Sequence, residues 1–232
     1  MAKRILLKLS GEALAGDKKT GFDEATVRAV AEQVATIVKD GIQVGIVIGG
    51  GNFWRGRTSE NIDRSRADQI GMLATVMNCI YTSEIFRSAG LETEIFTPFA
   101  VGAFTRLFSK DDALAAMNEG KVAFFAGGTG HPYFSTDTGV VLRAIEVEAD
   151  MILLAKAIDG VYDSDPAINP DAIKYDKITI DDVIAQNLQV MDMTASILAR
   201  DNHMPMMVFG LGEENSIVRA AAGENFGTEV IV

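Results

Sequence analysis

Val44-Gly45-Ile46-Val47-Ile48-Gly49-Gly50-Gly51-Asn52-Phe53-Trp54-Arg55 carries a β-branched run straight into three glycines and then an arginine. Glycines in series leave backbone N–H groups uncovered and free to adopt positive φ, so several donors can converge on one anion. Arg55 adds a rigid guanidinium fork suited to phosphate oxygens. Alone, such a turn is as often plain turn chemistry as a phosphate site. The phosphate reading gains weight from two further strand ends of the same kind.

The first is Lys8-Leu9-Ser10-Gly11, which closes the apolar run Arg4–Leu9. A lysine in an apolar strand is costly unless it snorkels to solvent or meets an anion. The other is Ala126-Gly127-Gly128-Thr129-Gly130-His131-Pro132-Tyr133-Phe134-Ser135-Thr136-Asp137-Thr138, with bare amides, the hydroxyls of Thr129, Ser135, Thr136 and Thr138, and one carboxylate. A hydroxyl-rich turn capping a helix at Gly139–Glu146 accounts for Thr136 and Asp137 but not for the whole loop.

Strands are expected at Arg4–Leu9, Gln43–Ile48, Glu92–Phe96, Val122–Ala126, Met151–Leu154 and Met206–Phe209. They alternate with segments of 3.6-residue period, the pattern of an α/β fold whose open, mainly parallel sheet has helices on both faces. Ligands in such sheets gather at the carboxyl ends of the strands, so Lys8, Gly11 and the Gly49–Arg55 turn should share one crevice. A helix capped by Asp23 should bury Val27, Val30, Ala31, Val34 and Ile37. A longer helix, about Ser65 to Ser88, has an apolar stripe (Ile70, Leu73, Met77, Ile80) beside a stripe of Asp68, Gly71, Thr75 and Asn78, and pattern alone reads that second stripe as solvated. The stretch Asp159 to Lys177 reads as a functional loop or small hairpin.

With 232 residues, 48% of them hydrophobic, the chain suits one large domain or two lobes sharing a core. The formal net charge is -11, from 32 acidic and 21 basic residues, with no basic run to follow a nucleic-acid backbone. One cysteine, Cys79, allows neither a disulfide framework nor a cysteine metal site, and a reducing cytosol fits best. The apolar run in Met1–Ser10 is broken by Lys8 and too short for a signal peptide, and no segment reaches membrane-spanning length.

Two nucleotide-binding signatures fail. Gly51 to Thr58 has P-loop spacing but Arg57 in place of the lysine and no apolar helix after it, and Trp54 stands where a dinucleotide fingerprint needs its third glycine. The aspartates Asp150, Asp159 and Asp192 each follow strands or open helices, where a cap or turn role is the simpler one. Phosphoryl transfer, however, needs carboxylates to hold Mg²⁺ and orient a lysine, and little else.

Taken together the chain resembles the bacterial UMP kinases of the amino acid kinase family. The blocks that carry the resemblance are Lys8–Leu14, Val47–Asn52 with Arg55-Gly56, Gly71–Asn78, Gly128–Thr138, Asp159–Tyr162 with Asp165-Pro166, and Val190–Asp192. They span the chain in the family's order. The resemblance implies a single domain over 1–232 with a UMP-binding lobe of about 1–150 and an ATP-binding lobe of about 151–232. It implies Lys8, Asp137 and Asp192 as catalytic residues, the two aspartates being tied to Mg²⁺ and lysine orientation. At ATP it implies Lys8, Leu9, Ser10, Gly11, Gly51, Arg55, Tyr162 and Asp165, with Lys156 standing where relatives carry Asn or Thr. Around UMP it implies Gly50, Asp68, Thr129, Gly130, His131, Pro132, Tyr133, Phe134, Ser135 and Thr136. It further implies a cytoplasmic homohexamer that makes UDP for pyrimidine synthesis, inhibited by UTP and activated by GTP through a loop of Lys18, Lys19, Thr20, Gly21, Phe22 and Asp23. Two other readings compete: a relative phosphorylating a carboxylate or carbamate, and a non-catalytic nucleotide sensor.

Overall fold

In the computed structural model, which describes residues 2–54 and 61–232, the apolar runs form strands and the amphipathic segments pack against them. The first half comprises β1 (Arg4–Leu9), α1 (Gly11–Ala15), α2 (Glu24–Lys39), β2 (Gln43–Ile48), α3 (Arg64–Ser88), β3 (Thr93–Thr97), β4 (Arg106–Leu107), α4 (Lys110–Asn118), β5 (Val122–Phe125) and α5 (Thr136–Glu146). The second comprises β6 (Met151–Lys156), β7 (Val161–Tyr162), β8 (Lys174–Tyr175), β9 (Lys177–Thr179), α6 (Ile180–Ala185), α7 (Met193–Asp201), β10 (Met206–Gly210), α8 (Ser216–Ala221) and β11 (Thr228–Ile231).

Among the described residues, nine strands make one sheet in the order β4-β3-β5-β2-β1-β6-β10-β11-β9. Every pairing is parallel except β10 with β11. β7 and β8 pair antiparallel as a separate hairpin, the second of the forms expected for 159–177. Because strand side chains alternate faces, β1 sends Ile5, Leu7 and Leu9 into the layer containing α2, α3 and α8. Leu6 meets the layer containing α5 and α7, and Lys8 points to that same side, where Asp137 of α5 awaits it.

Local signals set the helix starts. Asp23 caps α2 by accepting from Thr26 N, and Val27, Val30, Ala31, Val34 and Ile37 are buried as expected. α5 starts at Thr136, earlier than the expected Gly139, because the Ser135 hydroxyl accepts from Thr138 N and so caps it; Asp137 lies in the first turn.

α3 reverses the sequence expectation. Thr75 and Asn78 are 5% and 0% exposed, whereas Leu73 and Met77 are 51% and 48% exposed, and Ile70 and Ile80 are also open to solvent. The helix comes so close to the glycine turn that a Cβ on Gly50 would lie 3.0 Å from both the Ala74 Cβ and the Gly71 carbonyl. Opposite the glycine turn only small or hydrogen-bonding side chains fit, and Leu73 and Met77 turn outward there, whereas at the far end of the helix Phe86 is buried.

Candidate active site

β1 is the point at which the sheet's connections reverse direction, β2 lying on one side and β6 on the other, and a crevice opens at the carboxyl ends of these three strands. Its volume is about 530 Å³. On the β1 side, Lys8 Nζ lies 3.2 Å from Asp137 Oδ1, both side chains being largely buried. Gly11 sits so close to the second strand end that a Cβ there would be 2.3 Å from the Gly49 carbonyl oxygen. The two phosphate-type turns therefore touch, and their amides line one wall with Ser10, Gly50 and Gly51.

Lys156 ends β6 in the same wall. Its Nζ donates to the carbonyls of Val190 and Gln189. Burial pushes its ammonium below the usual lysine range, Asp137 opposing the shift and Lys8 adding to it.

The facing wall comes from α3 and the 127–136 loop. Asp68 accepts from Arg64 Nε at 2.9 and 3.0 Å and from Tyr133 N at 2.8 Å. Thr75 Oγ1 accepts from Gly127 N at 2.8 Å, which ties the loop's start to the same helix. The Tyr133 backbone is held at φ 74°, an unfavourable region for a side chain of that size, and its ring lies under the Arg64 guanidinium at 5.5 Å. Thr129 Oγ1 accepts from His131 N and so closes its own turn.

Asp192 takes the cap role that the sequence offered it and adds a second one. Its carboxylate caps α7 by accepting from Ala195 N at 2.9 Å, and it also takes hydrogen bonds from the Ser135 and Thr138 hydroxyls at the start of α5. It lines the crevice and braces the turn that presents Asp137. Among the described residues no group of three or more His, Cys, Asp or Glu side chains is arranged to enclose a metal.

The crevice thus brings together Lys8, Ser10, Gly11, Gly50, Gly51, Asp68, Thr129, His131, Phe134, Ser135, Thr136, Asp137, Lys156 and Asp192. Leu9 is wholly buried and offers only its carbonyl, to Gly49 N at 3.0 Å. Gly130, Pro132 and Tyr133 do not line the cavity, although the Tyr133 amide fastens Asp68. Tyr162 and Asp165 belong to the β7–β8 hairpin region, away from the cavity lining. There the Tyr162 hydroxyl donates to Asp159, which raises its pKa, and Asp165 accepts from Ala167 N. Arg55 lies outside the described residues. The 18–23 loop lies behind the glycine turn rather than in the crevice, held by Gly21 against Asn52.

Arg64, Glu12, Trp54 and Gln189 also line the cavity without having been singled out. Only Arg64 had a readable signal, standing four residues before Asp68 on one helix face.

The family model of the amino acid kinase family matches residues 3–210. The chain is similar to the solved structure of UMP kinase from Bacillus anthracis, with 39% identity, a TM-score of 0.95, and 99% of this chain and 96% of that one covered. It is likewise similar to UMP kinase from Ureaplasma parvum, with 36% identity, a TM-score of 0.94 and both chains fully covered. Uridylate kinase from Archaeoglobus fulgidus shares the fold at 23% identity and a TM-score of 0.75, over 97% of this chain and 99% of that one.

Proposed function

Because the chain belongs to the amino acid kinase family, we propose that it transfers the terminal phosphoryl group of ATP to UMP, giving ADP and UDP for pyrimidine nucleotide synthesis. The observation that carries this reading is the single crevice whose one wall is Lys8 with two touching glycine turns, and whose other wall is Asp68 with a hydroxyl-rich loop. ATP takes the side toward β6 and the β7–β8 hairpin, its phosphates on Lys8, Gly11, Gly51 and Lys156. UMP takes the side toward α3, its ribose on Asp68 and its phosphate before the 127–136 loop. A substrate without a ribose leaves Asp68 with only its protein partners, Arg64 and the Tyr133 amide, and no substrate hydroxyl to accept from, which sets this reading above a carboxylate or carbamate kinase.

The transfer runs in line, with no covalent enzyme intermediate. An oxygen of the UMP phosphate forms the new P–O bond as ADP departs, and that oxygen is already anionic, so no side chain need remove a proton. Lys8 and the glycine amides stabilise the charge that spreads over the moving phosphoryl group. Asp137 orients Lys8 through their ion pair, and Asp192 fixes Asp137 through the α5 cap. The carboxylates of Asp137 and Asp192, which both line the crevice, would fit Mg²⁺ carried on substrate phosphates, since that ion is usually held by one or two carboxylates and not in an all-protein cage. When bound, Mg²⁺ supplies charge neutralisation at the phosphate oxygens.

Regulation and assembly complete the proposal: a cytosolic homohexamer, inhibited by UTP in the uridine pocket and activated by GTP through residues 18–23. The outward apolar stripe of α3 supports self-association, because Leu73 and Met77 are half exposed on one helix face. Among the described residues no helix is long and apolar enough to cross a membrane. A coupled assay of ADP release with UMP, CMP, AMP and dTMP as acceptors tests the reading. Strong preference for UMP is expected, and absence of ADP release with every nucleotide overturns it.

A further inference from the structure

We propose that the buried side-chain amides of Asn52 and Asn78 are positioning residues of the phosphoryl-transfer site, fixing the Gly49–Gly51 turn and locking it to the 18–23 loop. The proposal rests on the function given above for that site. Asn52 and Asn78 are 1% and 0% exposed. They bond to each other twice, Asn78 Nδ2 donating to Asn52 Oδ1 at 2.8 Å and Asn52 Nδ2 to Asn78 Oδ1 at 3.0 Å. The second N–H of Asn78 goes to the Gly49 carbonyl at 2.7 Å, and that of Asn52 to the Gly21 carbonyl at 2.8 Å. All the N–H groups of both amides are thereby used, a pattern that needs two donors on each side chain and that aspartate cannot supply.

The geometry gives this pair leverage over the chemistry. The Gly49 carbonyl and the Gly50 N–H belong to one planar trans peptide and point in opposite directions. Holding the carbonyl on Asn78 therefore aims the Gly50 amide away from the pair, toward the crevice that Gly50 lines. The same pair lies directly beneath Gly11, where a Cβ would come within 2.4 Å of Asn52 Oδ1 and 2.9 Å of Asn78 Nδ2. Both phosphate turns thus rest on one amide dimer in a low-dielectric interior, where a broken bond leaves polar groups stranded. The 18–23 loop is attached at the same place: Phe22 stacks on Tyr81 at 3.8 Å, one turn beyond Asn78, and meets Phe53 edge-on at 5.4 Å, next to Asn52.

The test uses Asn52→Ala, Asn78→Ala, the double variant, and Asn52→Asp, which keeps the shape and the acceptor for Asn78 but loses the donors to Gly21 O and to Asn78 Oδ1. Two readouts are taken on protein shown to be folded by its thermal transition. One is kcat with ATP and UMP. The other is acrylamide quenching of Trp54, the single tryptophan, whose backbone N donates to Gly50 O and whose indole donates to Ala67 O. Because a misplacement of about 1 Å can cost on the order of 100-fold, each single variant should lose about 10- to 100-fold in kcat, with smaller changes in KM. The double variant should be no worse than the weaker single, and Trp54 should become more quenchable in all of them. Effects that multiply in the double variant, or kcat and quenching both near the parent values, overturn the proposal. A parent protein inactive toward UMP defeats the function above; unchanged quenching in that case defeats this proposal separately.

Discussion

Replacing Asp68 separates the acceptor side of the crevice from the donor side. Its carboxylate, 14% exposed, binds Arg64 and the Tyr133 amide. The Arg64 partner is 39% exposed, so the ion pair contributes little, about 0–1 kcal/mol. The part that matters is a charged acceptor for a ribose hydroxyl, whose loss costs about 1.5–3 kcal/mol. Asp68→Ala should therefore raise the UMP KM roughly ten- to a hundred-fold. It also frees the Tyr133 amide, whose residue is held at φ 74°, so part of the loss comes from a loosened 127–136 loop. Asp68→Asn keeps an oxygen for that amide and should fall between the parent and the alanine variant. The KM for ATP should hold steady, and UTP inhibition should weaken with UMP binding. Steady-state kinetics with each substrate varied in turn, with and without UTP, check this. An unchanged UMP KM, or a shift carried mainly by ATP, would refute the assignment.

Lys8→Met should fold normally and lose about 100-fold or more in kcat, the range for removing one preorganised charge; turnover near the parent value would remove Lys8 from the chemistry. Leu73→Glu, placed in the half-exposed apolar stripe of α3, should shift light scattering toward smaller species, and a parent protein that is already a fully active monomer would dispose of the hexamer. Asp150 is held below the ordinary aspartate value of 3.8, first by its hydrogen bond from Arg4 N and further by that from Lys3 N. A depressed carboxyl stabilises the fold above its ordinary pKa and loses that contribution as pH falls through the lower folded value. Asp150→Asn should flatten the acid limb of a stability-against-pH curve below about pH 4 and leave its shape near pH 7 unchanged; an identical acid limb would count against the linkage.

What the sequence displayed depended on the distance over which each residue acts. Asp23 and the Val27–Ile37 stripe act within one helix, so cap and burial were both readable. The glycine turns likewise announce themselves by composition. Asn78 and Thr75 looked solvated because their partners, Gly49 and Gly127, lie 29 and 52 residues away, where helical periodicity cannot reach. Leu73 and Met77 misled for the complementary reason: an apolar stripe is expected to face the core unless another face is needed elsewhere. Asp192 was readable as a cap, but not as the acceptor for Ser135, 57 residues earlier.

The central place of β1 has a kinetic consequence. Its register joins Ile5 to Val44 on one side and to Met151 on the other, and Arg4 N is bonded to Asp150 across 146 residues. Contacts of such long sequence separation must close large loops before they repay the entropy, which slows folding. Until β6 arrives, β1 is a sheet edge with unpaired amides, the surface on which misfolded chains stick to one another. Lys8 pairs in register with Leu154 on that late-arriving strand. A nascent chain therefore completes its phosphate-binding wall only once β6, about two thirds of the way along, has been made, so nucleotide added during refolding should speed no early step and should instead trap the completed sheet.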